Sequence, residues 1–133
     1  MLSPATAAEV RAAFDDLAVV AETVVTETAK AMDFDEAEFD ERVTGQVYET
    51  AHEALFASLL SVTVGTRAEF EDWAAQADHD VEVAGSDTVD HVVWHAPPFA
   101  DTAVAATFQD ERAAAVATLR RQAHGRLYRE VLS

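Results

Sequence analysis

The chain has no cysteine, a single lysine, three prolines and four glycines in 133 residues. Without cysteine, disulfides and thiolate metal sites are excluded. No run of about 18 apolar residues free of charge occurs, so no membrane-spanning helix is expected. Met1-Leu2-Ser3-Pro4 has neither the basic start nor the apolar stretch of a secretion signal. No P-loop, G-x-G-x-x-G, H-E-x-x-H or G-x-S-x-G pattern is present, and Ala84-Gly85-Ser86-Asp87 lacks the last glycine of a nucleophile elbow. These absences argue against the common nucleotide-binding, metalloprotease and serine-hydrolase frameworks. The expectation is a cytoplasmic chain, residues 1–133 as one domain, without cofactor, metal or membrane, and with the balance against an enzyme.

What is there is acid. Twenty-five aspartates and glutamates face nine basic residues, for a formal net charge of -16, and Lys30 is the one lysine. Such a surface stays hydrated when salt competes for water, and its self-repulsion is tolerable there because the screening length is ~3 Å at 1 M salt. The composition therefore points to a protein adapted to high salt. Half the residues are hydrophobic, so the charge does not imply disorder. Many of them are small Ala and Val, with Phe14, Phe39, Phe56, Phe70, Trp73, Trp94 and Phe108 as expected core anchors.

Periodicity divides the chain into elements. Val10, Phe14, Leu17, Ala21, Val24 and Thr28 form one apolar stripe of a helix running to Met32, capped by Ser3 with Pro4 in its first turn. Asp35 and Glu38 have capping-box spacing, Glu38 and Arg42 the spacing of an ion pair, and Phe39, Val43, Val47, Ala51 and Leu55 carry the stripe past Gly45 as one helix or two. Ser58 to Val64 reads as a strand. Thr66 and Glu69 open a short helix bearing Phe70, Trp73, Ala74 and Ala77. Val81–Ala84, His91–Ala96 and Ala103–Phe108 read as three more strands, the first two joined by a Gly85-Ser86-Asp87 turn, and Ala113 to Leu132 as a last helix that Gly125 kinks. Short links predict a meander of strands two to four. The expected fold is α+β, two layers: a small, mainly antiparallel sheet of about four strands packed by N-terminal helices, one short middle helix and a C-terminal helix.

Thr107-Phe108-Gln109-Asp110-Glu111-Arg112, the following run from Ala114 to Ala123, Val64-Gly65-Thr66-Arg67-Ala68-Glu69-Phe70 and Trp94-His95 resemble a family of small acidic haloarchaeal proteins of unknown function. The resemblance supports the high-salt reading and implies no activity, cofactor or catalytic residue.

Four sets of residues invite a chemical reading. His91 and His95 share one side of a strand but lie ~13 Å apart, too far to share one ion. Asp78-His79-Asp80 and Asp90-His91 would meet if their strands formed a hairpin. Trp94-His95-Ala96-Pro97-Pro98-Phe99 leads to Asp101, and a His95–Asp101 pair would orient an imidazole as a general base, with Trp94 and His91 as ligand contacts. Arg120, Arg121, Arg126 and Arg129 make residues 110–133 net positive, with five arginines against three acidic residues. Against each stands a plainer role: sheet histidines bonded to neighbours, turn residues, an aromatic anchor before a stiff turn, and arginines paired with the chain's own acids.

Three functions follow in order. The first is a non-enzymatic interaction module binding an unknown protein partner or a second copy of itself through the sheet or the arginine helix. The second is a small enzyme or ligand-binding domain at Trp94, His95 and Asp101. The third is a nucleic-acid-associated protein using the C-terminal arginines, disfavoured because phosphate binding weakens steeply with salt.

Overall fold

A computed structural model of the chain describes residues 1–86 and 88–133, so Asp87 of the expected turn lies outside the described residues. The elements are α1 (Ala7–Asp16), α2 (Ala18–Ala31), α3 (Glu36–Arg42), α4 (Gly45–Ser58), β1 (Thr63–Thr66), α5 (Arg67–Gln76), β2 (Asp80–Ala84), β3 (His91–His95), β4 (Thr102–Phe108) and α6 (Arg112–Ala123). A π-helical turn (His124–Tyr128) then runs into α7 (Arg129–Leu132). The fold is α+β with a four-stranded sheet, and none of its described helices is long and apolar enough to cross a membrane.

The sheet order is β1-β3-β4-β2. β3 pairs antiparallel with β1 and with β4, and β2 lies parallel to β4 in the register Asp80 to Thr102. The expected meander is therefore not formed. The link after β2 is too long for a tight hairpin and is organised instead by Arg67, the first residue of α5. Its backbone N–H donates to the Asp90 carbonyl at 2.6 Å. Its guanidinium donates to the Ser86 carbonyl at 2.7 Å and to the Val89 carbonyl at 3.0 and 3.1 Å. Held this way, the link carries the chain across the sheet to β3.

Alternation along β3 separates two packed clusters. Val93, with Val104 of β4, joins Val10, Phe56, Leu60, Leu119, Ala123, Leu127 and Tyr128 in the main core under α1, α4 and α6. Val92 and Trp94 turn to the other side, where α5 brings Phe70 and Trp73. The Trp94 ring lies 5.2 Å from Phe70 and 5.6 Å from Trp73, pairs that add about 0.5–1.5 kcal/mol each beyond burial. α5 is held at its start by a complete capping box, Thr66 with Glu69.

Several boundaries differ from expectation. The long first helix breaks at Leu17, whose N–H turns back to Phe14 and Asp15, and its cap is Thr6 instead of Ser3. The break resets the phase, so Ala21, Val25 and Ala29 are buried while Val24 and Thr28 face outward. Asp35 caps α3 through the Glu38 N–H. Arg42 sits 5.6 Å over the Phe34 ring, and no Glu38–Arg42 ion pair forms. α3 and α4 are separate helices. Ser58 closes α4, and Leu60 meets Leu2 in an isolated bridge instead of entering a strand, so β1 starts only at Thr63 and includes Gly65. The final helix is widened near Gly125. Its π turn presents two neighbouring side chains inward per turn, Ala123 with His124 and then Leu127 with Tyr128.

Candidate functional site

The expected His95–Asp101 pair is not made. His95 ends β3 only 2% exposed, pointing into the main core. Its Nδ1 faces the Ser61 carbonyl, which can only accept, so Nδ1 carries the proton. Its Nε2 then accepts from the Tyr128 hydroxyl at 2.6 Å. Burial holds the imidazole below its ordinary pKa and pushes the Tyr128 phenol up, so both stay neutral. Asp101 is exposed, and its backbone carbonyl accepts from the Asp80 N–H at 2.8 Å. With both ring nitrogens engaged and no path to solvent, His95 acts as a neutral bolt between β3, the segment after α4 and the π turn.

The other candidates are likewise dispersed. Trp94 is an anchor of the α5 cluster. His91 is exposed and stacks on Phe108 at 5.4 Å. His79 does not meet His91, because β2 and β3 form no hairpin; its Nε2 donates to the Pro97 carbonyl at 3.0 Å. Two of the four arginines are engaged within the chain. Arg120 turns inward, its Nε donating to the Leu60 carbonyl at 2.8 Å. Arg126 forms a two-point ion pair with Glu82 of β2, Nε to Oε2 at 2.9 Å, which lowers the Glu82 pKa and raises that of the guanidinium. Arg121 and Arg129 are exposed.

The structure instead gathers ionisable groups where α4 faces the π turn. Phe14, Glu49, His52, Glu53, His124, Arg129, Leu132 and Ser133 line a pocket of ≈ 300 Å³. Glu49, His52 and Glu53 follow i, i+3, i+4 spacing and so share one face of α4. His52 stacks on Phe14 at 3.6 Å, and its Nε2 donates to the Phe14 carbonyl at 2.6 Å. The π turn supplies the opposite wall. The Arg129 N–H bonds the His124 carbonyl, five residues back, so these two residues stand on one side of the helix.

His124 is the unusual member. It is 5% exposed, and neither ring nitrogen has a hydrogen-bond partner. Its Nε2 lies 3.9 Å from Glu53 Oε1, beyond hydrogen-bond reach. Burial lowers its pKa, Glu53 pulls it back up, and Arg129 lowers it further, with burial dominant. An unsatisfied buried polar group costs about 1–3 kcal/mol, and native proteins hold few of them. π turns recur at functional sites for the reason seen here: they aim extra side chains at one place. Among the described residues, no group of three or more His, Asp or Glu side chains is arranged to hold a metal ion.

The sequence contained one signal for this pocket, the Glu49-His52-Glu53 face. His124 and Arg129 gave none, because their five-residue spacing converges only in a π turn.

A second feature lies at the far end of the α2–α4 pair. Val24, Val25, Thr28, Ala29, Met32, Phe34, Val43, Val47 and Ala51 line an almost wholly apolar groove of ≈ 360 Å³ with Arg42 at its rim. Asp33, at φ 55°, ends α2 with the Phe34 N–H bonded to the Ala29 carbonyl and its own N–H to that of Lys30, which folds Phe34 back into the groove.

No curated protein and no solved structure matches the chain. The model of a family of unknown function, DUF5809, matches residues 1–129, and the chain belongs to that family.

Proposed function

We propose that this chain is a non-enzymatic interaction module working in concentrated salt inside the cell, and that its partner is a second copy docked along α2 and α4. The observation that carries this reading is the exposed apolar face of the α2–α4 pair. Val24 is 49% and Met32 59% exposed, and with Val20 and Thr28 they follow one another at four-residue spacing. Among the described residues, five of the seven large exposed hydrophobics, Val19, Val20, Val24, Met32 and Val47, belong to α2, its C-cap or α4. Outside the α4 contact, α2 packs chiefly on α1, so its outer face is left unpartnered. Contiguous apolar surface on an otherwise acidic chain marks a contact site.

A second copy suits this face for two reasons. Two helical hairpins related by a two-fold axis close into a four-helix bundle in which each stripe covers its own equivalent. Arg42 at the groove's rim has no ion-pair partner among the described residues, and α2 of a second copy offers Glu22 beside the stripe. Molar salt assists by screening repulsion between two chains that each carry -16.

Light scattering on a size-exclusion column in molar salt tests the reading. The expected result is a dimer that Val24→Glu converts to a monomer without loss of helical signal. A wild-type chain that stays monomeric at every concentration, or a dimer indifferent to Val24→Glu and Met32→Glu, would overturn it.

A further inference from the structure

The pocket between α4 and the π turn holds charges of both signs that do not pair with each other. Glu49 and Glu53 come from one wall and Arg129 from the other, and no ion pair joins Arg129 to either glutamate among the described residues. Between them sits His124, nine-tenths buried, lining the pocket with both ring nitrogens unpartnered.

The geometry selects a ligand chemistry. The 3.9 Å gap between His124 Nε2 and Glu53 Oε1 is too wide for a direct hydrogen bond, but one group at about 2.8 Å from each atom bridges it. In the tautomer that puts the proton on Nδ1, Nε2 offers a lone pair and the carboxylate accepts only, so a bridging group there donates twice. A primary ammonium does so, and it also neutralises Glu53. In that tautomer a hydroxyl, with one proton to give, satisfies only one of the two acceptors, and an anion would meet two glutamates. On the opposite wall, Arg129 offers a fork suited to a carboxylate. Phe14, stacked on His52, and Leu132 supply apolar surface between the two charged ends.

We propose that this pocket binds a small amino-carboxylate zwitterion, with its ammonium between Glu53 and His124, its carboxylate at Arg129 and an apolar side chain against Phe14 and Leu132. The volume of ≈ 300 Å³ suits an α-amino acid of intermediate size. This site is separate from the apolar groove and does not depend on dimerisation.

The test is an NMR titration of the full chain with L-leucine at constant salt, read at the ring resonances of His124, His52 and Phe14. Saturable shifts at these rings are expected. Isoamylamine, which lacks the carboxylate, and 4-methylpentanoate, which lacks the ammonium, are expected to bind about tenfold more weakly or worse. Arg129→Gln is expected to weaken leucine by about tenfold and leave isoamylamine unchanged, whereas Glu53→Gln weakens both. Arg129 is exposed, so its variant keeps the readout if Glu53→Gln fails to fold. Leucine that produces no saturable shift, or isoamylamine that binds as tightly as leucine, would overturn the proposal.

Discussion

The Tyr128 hydroxyl donates to His95 Nε2 at 2.6 Å, joining the π turn to the end of β3 inside the core. Both groups are buried, so neither has water to turn to. Tyr128→Phe keeps the ring and its contacts with Phe56 and Phe99 but leaves Nε2 without a donor. The expected loss is about 1–3 kcal/mol, seen as a lower denaturation midpoint at constant m-value. A variant as stable as the parent would mean that the bond contributes nothing.

The two buried histidines set a pH dependence. His95 and His124 are both held below the ordinary histidine value, chiefly by burial. The unfolded chain therefore takes up protons near pH 6.5 that the folded chain refuses, and stability falls as pH drops below that point. Stability is fully present above the unfolded value and declines until the folded values are reached. Each histidine contributes a slope of up to about 1.4 kcal/mol per pH unit. His124→Phe is expected to remove one share of this slope, measured by denaturant melts between pH 7.5 and about pH 5. An unchanged slope in His124→Phe would refute the assignment.

Arg120 and Arg121 adjoin in sequence and differ in role. The Arg120 guanidinium satisfies the carbonyl of buried Leu60, whereas Arg121 is exposed. Arg120→Ala is expected to cost about 1–3 kcal/mol by orphaning that carbonyl. Arg121→Ala should stay within about 0.5 kcal/mol of the parent. With Arg120 turned inward and Arg126 bound to Glu82, two of the four candidate arginines are already engaged within the chain. No retention on immobilised DNA or RNA is therefore expected even in low salt, provided the fold persists there.

The local chemistry of the fold was legible in the sequence, and its long-range pairing was not. Thr66 and Glu69 announce a helix start because a capping box is complete within four residues. β3 and β4 appear within one residue of their expected bounds because β-branched and aromatic runs favour a pleated surface. The placement of β2 beside β4 depends instead on Arg67 gathering carbonyls from Ser86 and Val89, about twenty residues away. The break at Leu17 leaves no glycine or proline to betray it. The expected His95–Asp101 pair is not made for the same reason. Trp94-His95 is conspicuous as a pair, but its partners, Ser61 and Tyr128, lie more than thirty residues away on either side and make it structural. His124, inconspicuous among arginines, became the pocket residue only through the π turn.

Gly85 is the glycine the fold cannot exchange. It follows β2 at φ +115°, a conformation that side chains strongly disfavour. A Cβ there would lie 1.9 Å from Thr107 Oγ1. Thr107 cannot simply rotate away, because that oxygen accepts the Ser86 N–H at 3.1 Å and so ties the turn to β4. Gly85→Ala therefore combines backbone strain with loss of a turn hydrogen bond, and a destabilisation of about 2–4 kcal/mol is expected. Gly45 is the control: a Cβ there meets nothing within 4 Å, and the residue begins α4 in a helical conformation. Gly45→Ala should raise stability by about 0.4–1 kcal/mol through the unfolded chain's lost freedom. Thermal melts of the two single variants against the parent decide the matter, and equal shifts of the same sign would contradict the geometry of the β2 turn.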